Sequence, residues 1–297
     1  MDVCRRFLVG IRSMFAKLHA YWVLTKYKQS ILLLITGWAG YNSATDHLTT
    51  NWEVLCSMLG SLYLAICGST VLNMVIDRDI DIKMNRTAQR PLPSGVLSVR
   101  EALVFGLLLS AAGIGWSFLL DGLYGWVVAA GLFIDVVVYS IWLKRRTPLS
   151  IIFGGLSGGM PILAGRVLGV GHIDLIGILL LLAIVLWIPI HILTFSIKYL
   201  KDYNNAGVPT FPSVYGEQVT RLIIIVSTIL TSIDMIVAVH LIGMNGYYFA
   251  AMFLSVLSLI GFTVICFFYP SPGRDTRLFK LASTFMFVSM LLISITN

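Results

Sequence analysis

The run Asn73-Met-Val-Ile-Asp77-Arg-Asp79-Ile-Asp81-Ile-Lys83-Met-Asn-Arg86-Thr-Ala-Gln-Arg90-Pro91-Leu-Pro93 begins where an apolar stretch over residues 53–76 ends. That stretch is long enough to cross a bilayer, which takes about 20 residues in a helix. A span that delivers acids, bases and two prolines to one membrane surface decides the class of fold, and the rest of the chain repeats the pattern. Apolar stretches of similar length occur near 24–43, 101–120, 123–143, 149–168, 174–197, 219–242, 247–268 and 278–296, so nine transmembrane helices are expected. The composition agrees. Of 297 residues 58% are hydrophobic and only 12% charged, which excludes a disordered chain and an ordinary water-soluble enzyme.

The loops orient the bundle. Twenty of the 21 basic residues fall at alternate connections: Arg5, Arg6, Arg12, Lys17, Lys26 and Lys28 before or within the first span; Arg78, Lys83, Arg86, Arg90 and Arg100 after the second; Lys144, Arg145 and Arg146 after the fourth; Lys198, Lys201 and Arg221 around the sixth loop; Arg274, Arg277 and Lys280 after the eighth. Only Arg166 falls near the opposite face. Basic loops stay cytoplasmic, so the amino end is expected in the cytoplasm and the carboxyl end outside, in a multi-pass cell-membrane protein with no visible organelle-targeting segment. The net charge of +7 is then a topology signal, and no nucleic-acid partner is expected. Residues 1–23 read as a cytoplasmic interfacial segment, with residues 24–297 as one membrane domain. Cys4, Cys56, Cys67 and Cys266 form no CxxC pair and predict neither a disulfide framework nor a zinc site.

Two cytoplasmic loops, near 77–100 and 198–218, are long and rich in charge, Pro and Gly, whereas opposite-face links such as Asp121-Gly122 are short. Function is expected in the long ones. On a continuing helix Asn73, Asp77 and Asp81, spaced i, i+4, i+8, share one face. Clustered carboxylates repel unless a cation neutralises them, and a hard ion with oxygen ligands, typically Mg²⁺ shared with substrate phosphates, meets that need; the plainer alternative is a charged helix end solvated at the interface. Arg86 and Arg90 offer forked donors to phosphate oxygens. Asp79 lies off this face and reads as solvated or paired with an arginine.

The second loop echoes the first: Trp187-Ile-Pro189-Ile-His191 inside a span, then Lys198, Lys201, Asp202, Tyr203, Gly207, Pro209 and Pro212. The echo suggests two related halves facing each other; Asp202 either completes a metal site, with Lys198 beside the phosphates, or is a solvated charge in a lysine-rich loop. His191 is either a helix-packing hydrogen bonder or a ligand. A third stretch joins Tyr139 and the basic run Lys144-Arg145-Arg146 to Gly154-Gly155 and Gly158-Gly159, where glycines permit close helix approach. Asp135 shares a helix face with Tyr139 and faces either a polar cavity or a structural partner. Asp234 reads as structural.

Asn73xxxAsp77xxxAsp81 with Arg86-Thr and Arg90-Pro-Leu resembles the first aspartate-rich motif of the UbiA superfamily of intramembrane prenyltransferases. With Tyr139, Leu143-Lys144-Arg145-Arg146-Thr147-Pro148, Trp187-Ile-Pro-x-His191 and Asp202-Tyr203, it is similar above all to that family's haem-farnesylating branch, the haem O synthases. The chain departs from the pattern at Ile190, Lys201 and Asn85, where the family usually has Pro, an acid and Glu. The resemblance implies an all-α bundle of nine transmembrane helices around a central cavity. It implies that Asn73, Asp77, Asp81 and Asp202 act with Mg²⁺ on an isoprenyl diphosphate, Asp77, Asp81 and Asp202 as metal ligands. Arg86, Arg90, Lys144 and Lys198 would neutralise the departing diphosphate, Tyr139 would shield the allylic cation, and His191 would hold haem iron. The implied substrates are farnesyl diphosphate and haem B, with membrane lipid around them and haem-copper oxidase assembly proteins as possible contacts. An aromatic quinone precursor or a glycerol-phosphate ether lipid is the alternative acceptor. Two other classes stay open: a transporter, in which Asp135 and Asp234 carry the function, and a haem-binding assembly protein, in which His191 matters and Asp77 does not.

Overall fold

The computed structural model describes residues 14–44 and 51–296, so Cys4, Arg5, Arg6 and Arg12 lie outside the described residues. The described chain is built from helices. In order they are α1 (14–24), α2 (Tyr27–Asn42), α3 (Trp52–Ile76), α4 (Arg78–Lys83), α5 (Val99–Leu120), α6 (Gly122–Leu143), α7 (Ser150–Val170), α8 (Leu175–Lys198), α9 (Leu200–Ala206), α10 (Phe211–Leu241), α11 (Gly246–Phe268) and α12 (Pro272–Thr296). Eight of these are long and apolar enough to cross a membrane. The ninth expected span is α2, whose 16 residues fall short of the usual length.

Two helix starts differ from the hydropathy reading, for a common reason. α12 begins at Pro272 and carries Arg274, Asp275 and Arg277 in its first turns; α10 begins at Phe211 and passes through a kink at Gly216 (φ 80°, ψ 166°). Polar first turns are invisible to an apolar window but are good helix termini. The short opposite-face link shows the economy possible there: Asp121 ends α5 and caps α6, accepting a hydrogen bond from the Tyr124 amide at 2.8 Å.

The long helices close into a ring, α3–α5–α6–α7–α8–α10–α11–α12–α2 and back to α3, with α2 and α7 also packed together. Glycine sets how closely that last pair approaches. A Cβ on Gly40 would sit 2.0 Å from the Ile162 carbonyl oxygen, and one on Gly165 2.0 Å from that of Gly37, so these backbones touch directly. The glycines singled out from the sequence divide: Gly159 sits hard against Leu181, Gly154 makes room for the Tyr139 ring, and Gly158 has open space before it. At the opposite end from Asp77, buried Arg166 ties three helices, donating to both Asp174 oxygens and to the Ser43 carbonyl. At the near end Arg221 and Asp275 form a bidentate pair at 2.6 and 2.8 Å, joining α10 to α12.

Of the amino-terminal segment, residues 14–24 are described and form α1. Ala20 and Leu24 are buried, Tyr21 packs edge-on to Phe105 at 4.9 Å, and Lys17 pairs with Glu101, while Met14, Phe15, Leu18 and Trp22 present an exposed apolar stripe.

Gly40→Ala is expected to lower stability by about 2 kcal/mol, as over-packing does. Gly115→Ala, where a Cβ meets nothing within 4 Å, should leave it unchanged. Thermal unfolding of both variants in one detergent checks the contrast.

Candidate active site at two helix ends

Each long loop is built the same way. α3 stops at Asp77 (φ −87°, ψ 2°) and the short α4 follows; α8 stops at Tyr199 (φ −108°, ψ 25°) and the short α9 follows. The backbone bends twice at corresponding places, the structural form of the sequence echo. α4 and α9 then pack against each other through Ile80, Met84, Ala206 and Val208, with Tyr203 alongside. Residues more than a hundred positions apart thus share one end of the bundle.

The helix expected to run on through Asp81 breaks at Asp77, yet the spacing survives. The Asp77 amide donates to the Asn73 carbonyl at 2.9 Å and the Asp81 amide to that of Asp77 at 2.8 Å. Asp77 and Asp81 are both buried. Their charge is answered from within the protein: the Lys144 ammonium donates to Asp77 Oδ2, and Arg90 Nη1 donates to both oxygens of Asp81 at 2.9 and 2.7 Å. Asp77 Oδ1 is buried without a hydrogen-bond partner. Asp202 on α9 is half-buried and its carboxylate has no partner among the described residues. Asp79 is paired with Arg145, which donates to both its oxygens at 2.7 Å and holds its carboxyl below the usual range. Arg86 lies 4.9 Å over the Phe195 ring and 5.4 Å over Tyr199, and Lys198 lies 5.4 Å over Tyr199. Among the described residues no three Asp, Glu, His or Cys side chains converge on one point tightly enough to hold a metal ion by themselves.

Beneath this charged end lies a cavity of about 440 Å³, walled by α2, α3, α6, α7, α8 and α12. Most of its wall is apolar, with Leu62, Ile66, Met160, Ile184, Ile188 and Met290 among the residues facing it. Asp135 lines it at a place where α6 widens into a π-helix over Ile134–Leu143, a geometry often found at functional sites. Its carboxylate accepts from the Ser69 hydroxyl, from the Asn73 amide at 2.7 Å and from the Ser157 hydroxyl at 3.3 Å. Asn73 Oδ1 in turn accepts from the Ser140 hydroxyl at 2.8 Å. Both polar ends of Asn73 are therefore occupied on the cavity side, one turn of helix below Asp77. Asp135 has both of the settings left open for it, a cavity wall and a set of partners.

His191 also lines the cavity. Its ring is stacked between Trp187, 4.8 Å away, and Phe279, 4.2 Å away, and its Nδ1 is 3.1 Å from the Ser283 hydroxyl. Tyr139 packs on Gly154, with the Lys144 ammonium 5.6 Å from its ring centre. Asp234 is buried, with Oδ2 unpartnered, in α10, which does not wall the cavity.

The model of the UbiA prenyltransferase family matches residues 33–291. The chain belongs to the UbiA prenyltransferase family. It is 41% identical to a protein of Korarchaeum cryptofilum named protoheme IX farnesyltransferase, over 88% of this chain and 87% of that one. It is 37% identical to a Pyrobaculum islandicum protein of the same name, over 92% and 98%. Among solved structures it resembles a digeranylgeranylglyceryl phosphate synthase (TM-score 0.78, 19% identity, 94% and 98% covered). It also resembles a UbiA homolog from Archaeoglobus fulgidus bound to GPP and Mg2+ (TM-score 0.69, 16% identity, 93% and 100% covered). The fold is a polytopic helical bundle embedded in the membrane, and the chain is a prenyltransferase.

For a prenyltransferase, one residue escaped the motif reading. Lys26, counted only as a topology charge, sits at the junction of the charged end and the cavity, in the electrostatic reach of Arg90, Lys144, Asp77 and Asp81. Burial, with like charge from Arg90 and Lys144, pushes its ammonium down to about 8. Its place in the basic tally was the only signal it gave. Ser69, Ser157, Phe279 and Ser283 gave none, being ordinary residues within apolar spans.

Asp135→Leu should destabilise the fold by about 1–3 kcal/mol, because it strands the buried Ser69 hydroxyl and the half-buried Asn73 amide. A melting temperature equal to that of the parent protein, measured in detergent, would contradict the shared network.

Proposed function

We propose that this enzyme transfers a farnesyl group from farnesyl diphosphate to a vinyl group of haem B, giving haem O, by ionisation of the allylic diphosphate assisted by Mg²⁺. The observation that carries the reading is the packing of α4 against α9. It supports an aspartate set, Asp77, Asp81 and Asp202, drawn from both halves of the chain above one apolar cavity. The names of the relatives at 41% and 37% identity support farnesyl and haem as the transferred group and the acceptor. The A. fulgidus homolog bound to GPP and Mg2+ supports a diphosphate and a divalent ion in this fold.

The residues fit such an ion. The donors are carboxylate oxygens, which suit a hard cation. The unpartnered Asp77 Oδ1 is a buried acceptor of the kind a cation would satisfy, and Asp202 is free to turn toward it. Three carboxylates too far apart to hold the ion alone agree with Mg²⁺, which keeps several waters and substrate phosphate oxygens in its shell. When bound, Mg²⁺ supplies positive charge against the charge that gathers on the leaving diphosphate.

The remaining work falls to the side chains. Arg86, Arg90, Lys144 and Lys198 ring the leaving group with donors and stabilise diphosphate as the C–O bond breaks. The apolar wall holds the isoprenyl chain extended and keeps water from the allylic cation. Tyr139 offers an aromatic face close to the charged end. The vinyl π electrons then form the new C–C bond, leaving a cation on the acceptor that is quenched by water. For the haem, His191 keeps Nε2 available because Nδ1 already faces Ser283, and imidazole suits iron. In this reading the charged end faces the cytoplasm, in keeping with its basic loops.

Asp77→Asn and Asp81→Asn should each cut turnover by about 100-fold or more, the scale on which preorganised electrostatic groups act, while the protein still inserts and folds. Turnover is followed as the mass of the porphyrin after incubation with Mg²⁺, farnesyl diphosphate and haem B. Parent-level turnover in both variants, or unchanged haem beside a prenylated aromatic acid, would refute the assignment. Lys144→Met should tighten the binding of Mg²⁺ alone several-fold, because Asp77 loses its internal counter-ion, and at the same time slow turnover. Calorimetry without substrate reads the first effect, and weaker metal binding would contradict it.

A further inference from the structure

The cations at the charged end differ in what already holds them. Lys144 donates to Asp77 and Arg90 to both oxygens of Asp81. Arg86 and Lys198 are exposed and lie over the rings of Phe195 and Tyr199. Lys26 has no hydrogen bond, ion pair or ring contact for its ammonium among the described residues. It is also the one of these five that lines the cavity. Its half-buried ammonium is within electrostatic reach of like charge on Arg90 and Lys144 and of opposite charge on Asp77 and Asp81, but both carboxylates are already held by those two cations, so an arriving anion would give it a partner of its own.

The backbone adds an independent observation. Lys26 stands in the two-residue turn between α1 and α2 with φ 45° and ψ 46°, and it is the sole non-glycine residue with positive φ among the described residues. Its side chain makes no capping bond that would explain the conformation. Residues held in this region by the surrounding structure gather where function fixes a side chain's direction. Here the flanking helices are fixed, α1 by the Lys17–Glu101 pair and the Tyr21–Phe105 contact, and α2 by its glycine contact with α7. What the turn achieves is to bring a lysine to the point where charged end and apolar cavity meet. The matching ligand is an amphiphile with a polyanionic head and an extended hydrocarbon chain.

We propose that Lys26 is a direct ligand of the diphosphate head group, engaging its oxygens without first having to leave a carboxylate. This rests on the prenyl diphosphate reading above. Arg90 and Lys144 must exchange partners before they can serve the diphosphate, and Lys26 need not. Lys26 therefore gives the head group a hold that does not depend on metal.

The test uses the full chain in neutral detergent, with EDTA and again with Mg²⁺. The Lys26 amine is acylated with an N-hydroxysuccinimide ester and its labelling is followed by peptide mass spectrometry. Inorganic diphosphate and farnesyl diphosphate should each slow labelling of Lys26 about tenfold or more in EDTA. Micelles of dioleoyl phosphatidic acid should not, and protection by that lipid in place of diphosphate would mean that Lys26 reads membrane head groups and would overturn the proposal. Calorimetry in EDTA gives a second measure: Lys26→Met should weaken inorganic diphosphate about 10- to 100-fold, the range of a hydrogen bond to a charged group, and Lys26→Arg should restore most of it. Unchanged labelling at saturating diphosphate, or parent-like affinity in Lys26→Met, would overturn the assignment of Lys26 alone. Failure of the parent protein to bind either diphosphate even with Mg²⁺ would instead bring down the prenyl diphosphate reading.

Discussion

Buried carboxylates at the end of a membrane span require positive charge beside them. Asp77 and Asp81 meet that requirement through Lys144, which follows α6, and Arg90, which lies beyond α4. These two pairs draw three segments of the chain to one place. They also leave the charged end neutralised from within, so that an arriving diphosphate and its ion replace existing partners instead of entering a bare acidic pocket. The packing of this end and the proposed chemistry therefore involve the same four side chains.

The architecture carries that local need to the scale of the bundle. A long helix, a break and a short helix occur at Asp77 and again at Tyr199, and the two short helices meet through small apolar contacts. Direct backbone contact between α2 and α7 narrows one side of the ring. Below the junction the cavity changes character within a short distance, from Lys26 and the Asp135 network to a wall of aliphatic side chains with His191 opposite. A ligand with a charged head and an apolar tail fits that gradient, and a transport path built on Asp135 and Asp234 does not, because α10, which carries Asp234, does not wall the cavity.

How much of this could be read from the sequence depended on whether the signal was periodic or tertiary. Apolar stretches placed all nine helices, and only α10 and α12 began more than two residues early, because polar first turns extend beyond the apolar window. The i, i+4 relation of Asp77 and Asp81 survived a helix break, since the backbone hydrogen bonds at the break keep the same spacing. Asn73 could not be placed by spacing alone: its partner Asp135 comes from another helix, through a π-helical widening that no residue pattern announces. Lys26 was hidden among topology charges for a similar reason, its meaning resting on a turn conformation and on neighbours distant in sequence. The glycines of α7 were readable as contact makers in general, while the closest contacts, at Gly40 and Gly165, lay elsewhere.

The two helix-end motifs meet over one cavity. Spin labels at exposed Ile82 on α4 and exposed Asn204 on α9, introduced as cysteines and measured by double electron–electron resonance in detergent, test that directly. One narrow distribution at the separation of two adjoining short helices is predicted. A broad distribution, or a distance comparable to the width of the whole bundle, would contradict it.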